Sequence, residues 1–237
     1  LVVANMEHGA SDLPDYGTDF PSLMAAGAAN DPALVAELGR ATAREARYVG
    51  INWCLTPVVD LNYNYDNPVT NIRALSDQPE RVVNLAPALI DALQANGVAA
   101  TAKHFPGDGV DNRDQHLVTG INNLPFDQWL ETFGYVWRQV IDAGVWTIMP
   151  GHISLPDYQG FAANPYEAPP ATISRELLDT LLRQELGFQG LIVSDATGMM
   201  GFATRLPPHE RAPAAINAGI DLYPVSYTHL TLPTRCL

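Results

Sequence analysis

Between Lys103 and His116 the sequence reads KHFPGDGVDNRDQH. A Lys and a His stand where the apolar run GVAATA gives out; glycines and acidic residues follow, then an Asp and a His two positions apart. Imidazole changes charge near neutral pH, and a neighbouring carboxylate fixes its tautomer and orientation, so an Asp114–His116 pair can give and retrieve a proton. Lys103 offers compact ammonium donors and His104 a directional one, both suited to a hydroxyl-rich ligand. Asp195 ends a second apolar run, GLIVSD, and the small residues Ala196-Thr197-Gly198 that follow leave its carboxylate open. Such a group can attack an electrophilic carbon and hold it covalently. The residues alone leave rival roles open: Asp195 as a helix cap, His116 as a solvated loop histidine, and Lys103 as a structural cation under the loop. Asp108, Asp111 and Asp114 lack the alternating acidic positions and the defined Gly of a calcium loop, so no metal site is expected.

Six apolar runs must position these groups: LVVANM, INWCLTPVVD, GVAATAKH, VWTIMPGH, GLIVSD and GIDLYPV. Helical patterns alternate with them. Asp31-Pro32 opens one that runs to about Tyr48, an Asp N-cap followed by Pro at the first helical position. Gln78 to Asn96 has helical apolar spacing and stops at Gly97. Phe126 to Ala143, the Ser174-capped RELLDTLLRQEL stopped by Gly187, and Pro208 to Ala218 complete the set. Near-continuously apolar strands alternating with helices imply an α/β fold built on a covered parallel sheet. Either a barrel or a doubly wound sheet fits six strands. Polar residues stand where five of them end: Glu7, Asp60, Lys103 with His104, His152 and Asp195. All strand ends converge on one face of a (β/α)8 barrel, whereas an open sheet uses only those at its switch point. A (β/α)8 TIM-type barrel is therefore expected. Such barrels typically need about 250 residues, so the expectation includes a missing strand–helix unit at the start and truncation near the last strand.

A formal charge of −13 over 237 residues argues against nucleic acid as a partner. No apolar run reaches the ~18 residues of a membrane span. Two cysteines, Cys54 and Cys236, make no disulfide framework. No glycine-rich dinucleotide or phosphate-loop fingerprint follows any strand, and no cofactor is expected. Val225 to Thr234, VSYTHLTLPT, back-translates onto the transposon end and adaptor of sequencing libraries. Residues 225–237 are accordingly expected to be a translated adaptor tail and residues 1–224 the single domain. The compartment stays open.

Several of these runs together resemble glycoside hydrolase family 3, in its β-N-acetylhexosaminidase branch. The carriers are KHFPGDG with the spaced Asp114-Gln115-His116, LRQELGF before GLIVSD, PVVD at Pro57 to Asp60, NIR at Asn71 to Arg73, and MPGH at Met149 to His152. The resemblance implies a retaining enzyme with Asp195 as nucleophile, His116 as general acid/base and Asp114 as its partner. It implies a sugar held by Asp60, Arg73, Lys103 and His104, with His152 and Met149 lining the same pocket. The substrate so implied is a terminal β-linked N-acetylhexosamine on an oligosaccharide, glycan or peptidoglycan fragment. Transfer of the sugar to phosphate by the same residues, and a catalytically inactive sugar-binding barrel, are the alternatives. Four positions depart from the family pattern. Ala196 replaces a second Asp, Ala74-Leu75 a Ser-Phe pair, and Asp108 a His; the NMEHG turn is degraded and suggests no role for Glu7.

Overall fold

The computed structural model describes residues 1–12 and 17–224, so the tail expected from Val225 onward lies outside the described residues. Its strands are short: β1 (Val3–Ala4), β2 (Trp53–Cys54), β3 (Thr101–Phe105), β4 (Gly120–Ile121), β5 (Thr147–Pro150), β6 (Ile153–Ser154) and β7 (Leu191–Ile192). The principal array is parallel and follows chain order. β1 pairs with β2, Trp53 bridges Ala99, β3 pairs with β5, β5 with β7, and Val193 bridges Leu222. No order reversal of the doubly wound kind occurs among the described residues, and the carboxyl ends of the array all lie on one side. The fold is α/β.

The helices are α1 (Leu23–Ala29), α2 (Pro32–Tyr48), α3 (Pro79–Ala95), α4 (Phe126–Glu131), α5 (Phe133–Asp142), α6 (Met200–Ala203) and α7 (Pro208–Ala218). α2 starts as its sequence predicts, with the Asp31 carboxylate accepting from the Ala33 amide at 2.8 Å and Pro32 at the first position. The helix expected over Phe126 to Ala143 is instead two. Thr132, at φ −116° and ψ −88°, leaves helical geometry, and its hydroxyl donates to the Gln128 carbonyl at 2.7 Å. A β-branched residue whose side chain competes for backbone acceptors favours such a break. The segment after Ser174 is wound as a π-helix over Glu176–Glu185. The long strand expected over INWCLTPVVD shrinks to two residues and then continues as isolated bridges, because Pro57 has no N–H to offer the ladder.

Two features of this scaffold pin the loop after β3. The indole N–H groups of Trp129 and Trp137 both donate to the Pro106 carbonyl at 3.0 Å, and both rings meet Phe105 edge-on. These aromatic side chains are buried in the main core, so the start of the loop is tied to its least yielding part. At the far end, β4 pairs in parallel with β6, joining the loop's exit to the segment that follows β5. Nothing in the sequence announces this small sheet, since two residues carry no periodicity.

Candidate active site

A cavity of about 730 Å³ opens at the carboxyl ends of the parallel array. Glu7, Arg73, Lys103, His104, Met149, His116 and Asp195 all line it. Six separate strand ends or loops thus deliver side chains to one space.

Asp195 follows β7. Its Oδ1 accepts from the Ala196 amide at 2.7 Å, and its Oδ2 lies 3.9 Å from His104 Nε2. Burial pushes the carboxyl up, but His104, the Ala196 amide and Lys103 pull harder, and it stays ionised below its ordinary range. It caps no helix: α6 begins only at Met200, with Met199 at the N-cap. His104 is itself aimed by Asp60, whose Oδ2 meets His104 Nδ1 at 2.7 Å.

His116 stands on the loop with its side chain 59% exposed. Its Nδ1 is 2.6 Å from Asp114 Oδ1, which also accepts from the His116 amide at 2.8 Å. Slight burial raises the Asp114 carboxyl, but its two bonds to His116 outweigh this and hold it low, as an anion. Among the described residues Nε2 has no hydrogen-bond partner, and the residue lines the cavity. The loop is stitched to the Asp195 turn: the Met200 amide donates to the His116 carbonyl at 2.8 Å, and the Thr119 hydroxyl to the Gly201 carbonyl at 2.7 Å.

Two expected pocket residues lie behind the wall rather than on it. Asp60 is fully buried, and its carboxylate is occupied by His104 Nδ1 and by the amides of His104 and Asp108 at 3.1 and 2.8 Å. It orients the pocket instead of facing it. His152 is also fully buried and stacks on Phe202. Burial pushes its imidazole down and keeps it neutral at pH 7, so Nε2–H donates to the Ala196 carbonyl at 3.0 Å while Nδ1 accepts from the Thr172 hydroxyl at 2.7 Å. In both cases a polar residue at a strand end has turned inward, because buried backbone polar groups nearby demanded a partner.

Glu7, for which the sequence suggested no role, is the hub of the opposite wall. Its carboxylate takes Arg73 in a fork at 2.7 and 2.8 Å and Lys103 Nζ at 2.6 Å. Burial raises the Glu7 carboxyl, yet the Arg73 and Lys103 bonds and charges hold it far below the usual carboxylate range. The signal was charge balance: two cations sent to one pocket require a buried anion, and Glu7 alone ends the first strand. Met149 forms the apolar floor with Trp53 and Val193. Among the described residues no group of three or more His, Cys, Asp or Glu is arranged to hold a metal ion.

The Glycosyl hydrolase family 3 N terminal domain model matches residues 1–232. The chain belongs to glycosyl hydrolase family 3. A β-N-acetylglucosaminidase/β-glucosidase of Cellulomonas fimi is 44% identical over 227 residues, covering 94% of this chain and 40% of that protein. Among solved structures, a β-glucoside phosphorylase bound to 2FGlc superposes with a TM-score of 0.91 at 37% identity, over 96% of this chain and 42% of its own. A family 3 β-N-acetylglucosaminidase from Paenibacillus gives 0.88 at 33%, over 95% and 42%. The chain thus spans about 40% of the Cellulomonas relative's length.

Glu7→Gln should measure the hub. The change leaves Lys103 and Arg73 facing a neutral amide, and breaking a buried pair on one side costs about 3 kcal/mol. Because the folded pKa of Glu7 is depressed, its contribution is present above the unfolded carboxylate pKa of about 4.3 and fades as pH falls below it. Thermal melts from about pH 7 to pH 3 should find the variant less stable at neutrality, with the gap narrowing in acid.

Proposed function

We propose that this protein is a retaining glycosidase that removes terminal β-linked N-acetylglucosamine, with Asp195 as nucleophile and His116, held by Asp114, as acid/base. The observation that carries the reading is the stitching of the His116–Asp114 loop to the Asp195 turn, so that both groups face one cavity. In the first step an Asp195 carboxylate oxygen bonds to the anomeric carbon as the glycosidic C–O bond breaks. His116 Nε2–H passes its proton to the departing oxygen. In the second step the now neutral His116 takes a proton from water, whose oxygen bonds to the anomeric carbon and releases Asp195. Two inversions leave the configuration retained. Asp114 stabilises the imidazolium that exists before the first step and after the second. Lys103, Arg73 and His104 supply donors for sugar hydroxyls, with Glu7 and Asp60 fixing their directions.

The architecture that best accommodates this chemistry is the wall of a (β/α)8 barrel over residues 1–224, with its site at the carboxyl face. Naming of the Cellulomonas and Paenibacillus relatives supports an N-acetylated sugar. Likeness to a β-glucoside phosphorylase favours a second reading, in which phosphate replaces water in the second step. A neutral imidazole repels an incoming phosphate less than a carboxylate would. Nitrophenol release from nitrophenyl β-N-acetylglucosaminide, with and without phosphate, decides between them. Release indifferent to phosphate supports hydrolysis; phosphate-stimulated release with a sugar 1-phosphate product supports phosphorolysis; release from neither this substrate nor the glucoside contradicts both.

The stitching itself is testable. A Cβ on Gly201 would sit 2.5 Å from the Gln115 carbonyl oxygen and 2.7 Å from that of Val118. Gly201→Ala should therefore push the loop away from Asp195 and lower kcat about 30-fold, within the range expected for an ångström of misplacement.

A further inference from the structure

Between half-buried Asp114 and exposed His116 lies Gln115, which is 1% exposed and spends its side chain on buried partners. Its Nε2 donates to Asp108 Oδ2 at 3.0 Å, and its Oε1 accepts from the His152 amide at 2.8 Å. The orientation of this amide is fixed. A backbone N–H can only donate, so Oε1 must face His152, and Nε2 must then face an acceptor. Asp108 is that acceptor. Its other oxygen takes Asn67 Nδ2 at 2.9 Å and the Gly109 amide at 2.7 Å, while its own amide donates to Asp60. Asn67 reaches on to the Asp111 carbonyl at 2.8 Å.

We infer that Gln115 and Asp108 are positioning residues, a buried latch that sets where His116 stands relative to Asp195. The latch ties the loop to His152, which also holds the Ala196 carbonyl, and to Asp60, which also aims His104. Both reacting groups are thereby referred to one buried frame. The side chains of Asp114 and His116 bond to each other across a partly exposed surface, and beyond their own turn the backbone is held by the Met200 amide on the His116 carbonyl. Gln115 is flanked by both and supplies the inward anchor. The inference rests on the acid/base role proposed for His116.

A complementary exchange tests it. Gln115→Glu puts two carboxyl groups face to face, which repel once both are ionised, and Asp108→Asn puts two donors face to face. The double variant restores one donor to one acceptor. Its new amide at position 108 can donate to the new carboxylate at position 115, which still accepts from the His152 amide. Each single variant should lose about 10²-fold in kcat with KM little changed, and the double variant should recover most of it. The losses should also be larger for a nitrophenyl than for a dinitrophenyl leaving group, which needs no proton; a residue that merely stabilises the fold would not discriminate leaving groups. Melting curves accompany each variant, and Gln115→Leu is read in place of Gln115→Glu if the latter does not fold. A double variant as slow as the singles, or single variants with unchanged kcat and leaving-group dependence beside a crippled His116→Ala, would overturn the latch. If His116→Ala itself turned over normally, the acid/base assignment would fall first, and the latch with it.

Discussion

Replacing Asp195 with alanine is expected to reduce turnover by ~10⁴-fold or more, the scale on which loss of a covalent nucleophile is felt. At 1.36 kcal/mol per tenfold, that is about 5 kcal/mol of barrier. Little of the loss should come from the fold. Among the described residues the Asp195 side chain accepts only from the adjacent Ala196 amide and lies at the margin of contact with His104. The turn keeps its other supports, above all the Ala196 carbonyl held by His152. Melting near the wild-type temperature, together with collapsed kcat on every leaving group, is the expected pattern. Preserved turnover on an activated substrate would remove Asp195 from the mechanism.

His116→Ala should give a different signature. General acid/base groups contribute about 10² to 10⁴-fold, but the loss depends on how much the leaving oxygen needs a proton. With a dinitrophenyl leaving group the first step should run nearly as in the wild type. The second step still lacks its base, so the glycosyl-enzyme should accumulate as a burst followed by slow release. Azide, which needs no deprotonation, should then rescue turnover and yield a glycosyl azide of retained configuration. A uniform loss across leaving groups, without burst or rescue, would contradict the role assigned to His116. Asp114→Asn should fall between these cases, since the pairing at 2.6 Å would persist without the charge that favours the imidazolium.

Much of this arrangement is legible in the chain because its carriers are local. Asp31-Pro32 predicts where α2 begins, and the alternation of apolar strands with helices predicts a parallel α/β fold whose polar strand ends converge. Where the reading fails, the deciding partner is distant in sequence. Asp60 and His152 look like ligand-facing residues until the amides and rings packed against them are known. Glu7 looks degraded until Lys103 and Arg73 arrive on the same wall. Gln115 is invisible between two more reactive neighbours, because burial of a single loop side chain leaves no periodic trace. The strands are shorter than their apolar runs for a related reason: hydrophobicity records burial, whereas Pro57 decides where a ladder can continue.

The most direct test of the account is to intercept the covalent intermediate. A slow fluorinated sugar that reacts in the first step and stalls before the second should add one sugar mass to the protein, and peptide mapping should place it on Asp195. Adduct on any other carboxylate, or continued turnover of the ordinary substrate with no adduct formed, would contradict the proposal that Asp195 attacks the anomeric carbon.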